Sequence, residues 1–276
     1  MNPLGINLWN WCAGLSEECL GLPEKVARMG FTAVELPMTQ PQVPSALADE
    51  IRNTGLAVSL CAALGPGRDL SSFDSAVRAS TMDYLTTCLE TAGQLGAGIL
   101  AGPLYTGGGK RHWLSPDEKK REWMLAVDGL RELARRAEHY GVVLSVEPLN
   151  RYRTSVANTA GQVLRMVEEV DAPNVGVHFD TYHACLEERD LCAALEQVLQ
   201  AGNVKEAVAC VEKSQVDMAF VDLKLKRESG FSFVRWLREQ GKPVKVMLIA
   251  SDLKNHDFEQ ARELGIEGCV QKDAFL

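Results

Sequence analysis

The chain has no CxxC pair, no basic tract, no apolar run long enough to span a membrane, and no stretch rich in Pro, Gly and Ser. Each absence excludes something. Without CxxC spacing, the eight cysteines (12, 19, 61, 88, 185, 192, 210 and 269) outline neither a zinc site nor a disulfide framework. They fall singly in apolar stretches and read as buried, reduced thiols. Without clustered Lys and Arg, and with a formal net charge of −8, there is no footprint for nucleic acid. Without a run of about 20 apolar residues there is no membrane segment. The start MNPLGINLWNW lacks the basic region and long apolar core of a secretion signal, so a cytoplasmic location is expected. Without a linker, any two dissimilar parts are expected to share one core.

What is present is an ordinary globular composition, with 46% hydrophobic and 24% charged residues over 276 positions. Charge is uneven. Residues 203–276 hold 12 Lys and Arg against 12 Asp and Glu, so residues 1–202 carry the whole −8. Short apolar runs alternate with helical patterns: Leu4–Trp9, Ala33–Leu36, Ala57–Cys61, Gly98–Leu100, Val142–Glu147 and Val175–Asp180. This spacing predicts six βα units around a parallel sheet. The clearest helix opens at Ser115-Pro-Asp-Glu118, where Ser115 caps, Pro116 suits the first turn and Glu118 completes a capping box. Trp123, Val127, Leu130, Ala134 and Ala137 form its apolar stripe, and Gly141 ends it. Helices are also expected over 191–202 and from Asn203 to Ser214. Three more runs follow, Met218–Val221, Val244–Ile249 and Gly268–Val270, separated by helices over Ser229–Glu239 and Asn255–Leu264. Nine strands exceed the eight of a closed (βα)8 barrel.

Two segments carry chemistry: Ser145-Val-Glu147-Pro-Leu-Asn150-Arg151-Tyr152 and Val177-His178-Phe-Asp180-Thr-Tyr-His183. Each puts a carboxylate at the C-terminal end of a predicted strand, where the loops of a parallel barrel build its active site. Two carboxylates and an imidazole there suit a divalent cation. The alternative is that Glu147 and Asp180 cap neighbouring helices or pair with Arg151.

The segments Glu147-Pro-Leu-Asn-Arg-Tyr and Asp180-Thr-Tyr-His183-Ala-Cys-Leu-Glu187-Glu188, with Glu35 and Gly102-Pro-Leu-Tyr105, resemble the xylose-isomerase-like superfamily. Within it they resemble the tagatose/psicose 3-epimerases, over residues 4–200. The resemblance implies Mn²⁺ or a similar ion, held by a Glu after strand five, an Asp after strand six, a His after strand seven and a Glu after strand eight. It implies that Glu147 is a ligand and a catalytic base, Asp180 a ligand, His183 a substrate contact and Arg151 a sugar-side residue. It also implies a small sugar substrate. The chain departs from that pattern beyond His183, because the next His is His256 in a polar stretch and no Glu ends a candidate strand eight. Arg153 follows Asn-Arg-Tyr where the family has an acidic residue.

Residues 200–273 resemble a response-regulator receiver domain, a flavodoxin-like fold. Val216–Leu225 resembles the strand that ends in the phosphoacceptor, Gly230–Arg238 the helix that follows, and Ala261–Asp273 the last strand with its Lys. That implies Asp222 as phosphoacceptor and Lys272 as its partner. The receiver's acidic pair and last helix have no counterpart, and Ala250 stands at its Ser/Thr switch position.

The expected fold is therefore an α/β, TIM-like (βα)8 barrel of eight or nine strands. Residues 1–200 supply six βα units and 201–276 a flavodoxin-like fragment that completes the same barrel. Asp222 and Asp252 would then join Glu147 and Asp180 in a four-carboxylate rim able to hold Mn²⁺ or Mg²⁺ weakly. Three functions are open: a recombined or engineered scaffold with no or residual activity, a metal-dependent sugar epimerase, and a phosphoacceptor module. No nucleic-acid or membrane partner is expected.

Overall fold

A computed structural model describes residues 4–62, 64–199, 208, 211–212, 216, 218–225, 228–250 and 254–271. They fall into two compact units, Pro3–Val198 and, with the first two positions, Leu199–Leu276. The predicted helix from Asn203 lies largely outside the described residues, as do Asp252 and Lys272.

The first unit has six strands: β1 (Gly5–Asn7), β2 (Ala33–Met38), β3 (Ala57–Ala62), β4 (Ile99–Gly102), β5 (Val143–Val146) and β6 (Val175–Val177). They pair in chain order, all parallel, in one sheet. Helices α1 (Leu22–Arg28), α2 (Ser45–Thr54), α3 (Ser75–Leu95), α4 (Pro116–His139) and α5 (Ala160–Val170) make the crossovers. The six predicted runs all contain strands, because each places β-formers between turn residues. Gly30, Gly55 and Gly96 stand between helix and strand at positive φ, where a left-handed turn suits glycine.

Packing follows from the same patterns. Ser115 and Glu118 form the reciprocal capping box of α4, and Val127, Leu130, Ala134 and Ala137 are buried. They join a core with Leu36, Leu60, Leu100 and Leu144 from the sheet. Two side chains tie α4 to α5 and its exit. Trp123 donates from Nε1 to Glu169 at 2.6 Å, and Asn174 donates to the Ala134 carbonyl at 2.9 Å. Gly102 sits at φ 122, and a Cβ there would meet the Ala62 carbonyl oxygen at 2.7 Å. Only glycine lets β4 leave the sheet that close to β3.

After β6 come α6 (Thr181–Glu187) and α7 (Leu191–Leu199). The second unit contains β7 (Met218–Asp222), a short antiparallel pair β8 (Lys224–Leu225) and β9 (Glu228–Ser229), α8 (Gly230–Glu239), β10 (Lys245–Ala250), α9 (Asn255–Glu263) and β11 (Gly268–Gln271). Its three-stranded parallel sheet has the order β11-β10-β7. Phe231, Phe233, Val234 and Leu237 of α8 bury against Val246 and Leu248 in a second hydrophobic cluster. No described helix is long and apolar enough to cross a membrane.

The cysteines need a correction. Cys19, Cys61 and Cys88 are buried free thiols, but Cys185 and Cys192 are exposed on α6 and α7. Among the described residues, those short helices bury only Ala184 and Ala194, so an apolar sequence there does not imply an interior position.

Candidate active site

Glu147 follows β5 directly, and its backbone N–H donates to the Gly102 carbonyl at 3.0 Å. His178 follows β6 and donates its backbone N–H to the Val146 carbonyl at 2.7 Å. Parallel pairing of β5 and β6 thus brings their C-terminal ends together. Asp180 is the N-cap of α6, accepting from the His183 N–H at 3.1 Å. One turn of that helix carries His183 back toward β5. Ligand atoms of Glu147, Asp180 and His183 all lie within 4.8 Å of one another. The capping reading of Asp180 is seen directly, and the same carboxylate lies beside Glu147.

Electrostatics separates the two carboxyls. Burial pushes Glu147 up to about 8, reinforced by its hydrogen bond to Asp180 and by the charges of Asp180 and Glu35. Burial also acts on Asp180 in the raising direction, but hydrogen bonds from the His183 N–H and from Glu147 outweigh it and hold Asp180 below the usual range. The two carboxyls are thus pushed apart, Glu147 toward its protonated form and Asp180 toward its ionised form. Burial also lowers His183, which favours the neutral ring.

Glu35 lies within β2. Asn7 donates to it at 2.7 Å and Ser59 at 3.2 Å, so three adjacent strands fix it. Cys61 senses Glu35, Glu147 and Asp180; burial first and then these charges keep it a neutral thiol.

Arg151 is engaged elsewhere. Its Nε and Nη2 reach Glu187 at 3.0 and 2.9 Å, and its backbone N–H donates to Glu187 at 2.6 Å. Glu187 was visible only as part of a motif; a partner 36 positions away gives no local signal. Asn150 was likewise passed over, yet it is buried and bonded to His183. His178 Nδ1 is a buried polar atom without a partner among the described residues.

In the second unit, Asp222 ends β7 and Ala250 ends β10. His256 is on α9, exposed, 3.2 Å from Asp257.

A (βα) barrel edge with paired acidic residues at neighbouring strand ends defines a class, and the sequence comparison gives its family. The chain belongs to the xylose isomerase-like TIM barrel family, which it matches over residues 23–219. Residues 181–275 are also similar to the response regulator receiver domain. A ketose 3-epimerase of Arthrobacter globiformis is 33% identical over 184 residues, covering 64% of this chain and 61% of that one. An L-ribulose 3-epimerase of Mesorhizobium japonicum is 30% identical over 199 residues, covering 71% and 66%. The chain thus spans about six tenths of the length of these curated relatives. Among solved structures, an L-ribulose 3-epimerase superposes with TM-score 0.66 at 23% identity, over 97% of this chain and 87% of that one. The D-psicose 3-epimerase of Clostridium cellulolyticum H10 gives 0.63 at 22%, over 95% and 89%. These likenesses establish the barrel fold.

Proposed function

We propose that the chain is a divalent-metal-dependent sugar epimerase of the ketose 3-epimerase type, acting on a small ketose. The observation that carries this is the Glu147–Asp180–His183 cluster at the ends of β5 and β6. Its donors fit a hard cation in part. Two carboxyl groups stand side by side, and burial, reinforced by Asp180, favours the protonated form of Glu147; a Mn²⁺ or Mg²⁺ ion would take that proton's place. When bound, such an ion polarises oxygen atoms of the sugar. Glu147, once deprotonated, would accept the proton from the carbon beside the ketose carbonyl; the C–H electron pair forms the carbon–carbon double bond of an enediolate as the C=O π pair moves onto oxygen. Asp180 would hold the cation with it, and His183 would offer a hydrogen bond to a substrate oxygen. Arg151 acts at the sugar side only by leaving Glu187.

One base is enough to exchange the carbon-bound proton with solvent, whereas inversion needs a second on the opposite face. The test is deuterium uptake at carbon 3 of D-fructose, D-psicose and D-tagatose in D₂O with Mn²⁺, read beside epimer formation. Exchange is expected; its absence at saturating Mn²⁺ overturns the proposal. A second reading, a recombined scaffold with no or residual activity, is favoured by the overlap of the two family matches over residues 181–219. The third, phosphate transfer to Asp222 with Lys272 as partner, is tested by labelling with acetyl phosphate.

A further inference from the structure

The three clustered side chains are unequal as donors. His183 Nδ1 lies 3.2 Å from the Asn150 backbone nitrogen, whose N–H donates to it. It also lies 2.9 Å from Asn150 Nδ2. The orientation of that amide is fixed separately, because Asn150 Oδ1 accepts from the Tyr152 N–H at 3.1 Å. Nδ2 is therefore the end that faces the ring, and it can only donate. Two donors thus converge on Nδ1, which must carry the lone pair. The proton of the neutral ring then resides on Nε2.

Nε2 stands 3.7 Å from Glu147 Oε1. A protonated ring nitrogen has no lone pair to give a metal. Asn150 itself is held rigidly. It is 2% exposed, its carbonyl accepts from the Arg153 and Thr154 N–H groups, and the next peptide N–H is fixed on Glu187 at 2.6 Å.

We infer that Asn150 is a positioning residue that fixes His183 as the Nε2–H tautomer, so that the ring presents an N–H donor beside the two carboxylates. The donor's target, a hydroxyl or developing oxyanion of the sugar, rests on the proposed function; the tautomer does not.

The test is a long-range ¹H–¹⁵N correlation spectrum of the full chain, labelled with ¹⁵N, at alkaline pH. His183 is assigned by difference from His183→Gln. Protonated Nε2 and unprotonated Nδ1 are expected, and titration with Zn²⁺ as a diamagnetic probe should leave Nε2 protonated. A proton on Nδ1, or a shift of Nε2 to a metal-bound value, overturns the inference. In Asn150→Asp the side chain can only accept, which should draw the proton to Nδ1, free Nε2 and tighten Zn²⁺ binding about tenfold. Retention of the Nε2–H form in that variant removes the Asn150 side chain from the role and leaves only its backbone N–H. If Asn150→Asp does not fold, the wild-type spectra with and without Zn²⁺ decide. Absence of sugar turnover with the expected tautomer would sink the epimerase reading and leave this one standing.

Discussion

The two units use the same parallel βα grammar but differ in what their strand ends carry. In Pro3–Val198, the exits of β5 and β6 deliver Glu147 and Asp180 to one place, and hydrogen bonds from His183, Asn7 and Ser59 orient the acids around them. In the second unit, β10 ends on Ala250, and its one histidine sits exposed on a helix. Both have apolar cores built from alternating strand and helix residues. Burying a core and aiming polar groups are separate demands on a sequence, and the second unit visibly meets the first.

The largest expected effect breaks the comparison at the site. Glu147→Gln should lower solvent exchange at the sugar carbon by about 10²–10⁴-fold, the usual worth of a positioned base. It should also abolish any Mn²⁺-induced rise in Tm. His256→Gln in the second unit should change neither. Equal losses in both variants would show that the units do not divide the chemistry as drawn.

The next effect compares the cores. Leu100→Ala and Leu248→Ala each empty a fully buried position, one in each cluster. Each should cost about 2–5 kcal/mol. Hydrogen exchange should separate them, with protection lost first around β4 and β5 in one variant and around β7 and β10 in the other. Uniform loss in both would mean one cooperative unit.

A third effect is pH dependence. Glu147 is raised in the folded chain to about 8 from an unfolded value of 4.5. The folded state therefore holds an extra proton between those values, and metal-free stability should fall as pH rises through that window. Glu147→Gln should flatten that slope. A metal must displace the same proton, so apparent Mg²⁺ affinity should rise up to about tenfold per pH unit below pH ~8. A pH-independent affinity in calorimetric titration would show that Glu147 is not a ligand.

Much of this was legible in the sequence because it is local. Strand runs, the Ser115–Glu118 box and the acidic residues at strand ends are periodicities and short spacings. The Arg151–Glu187 and Asn150–His183 pairs were not, since they join positions 36 and 33 apart that meet only when β5 and β6 align. Exposure of Cys185 and Cys192 was also hidden, because a short helix gives too few turns for its buried face to show in the pattern.

The smallest effect sharpens the comparison at helix starts. Ser115 accepts from the Glu118 N–H at 3.3 Å, and Glu118 returns the contact to the Ser115 N–H at 2.8 Å. Ser229 accepts from the Phe231 N–H at 3.3 Å, and the first turn of α8, which opens Gly-Phe-Ser, holds no acidic side chain to reciprocate. Ser115→Ala removes one half of a two-way cap and leaves Glu118 to bond the backbone alone. It should cost about 1 kcal/mol. Ser229→Ala removes a one-way cap and should cost about half as much, read as a shift in denaturation midpoint at constant slope. The reverse order would mean that α8 depends on its start more than α4 does, and that the second unit is held by local contacts where the first is held by its core.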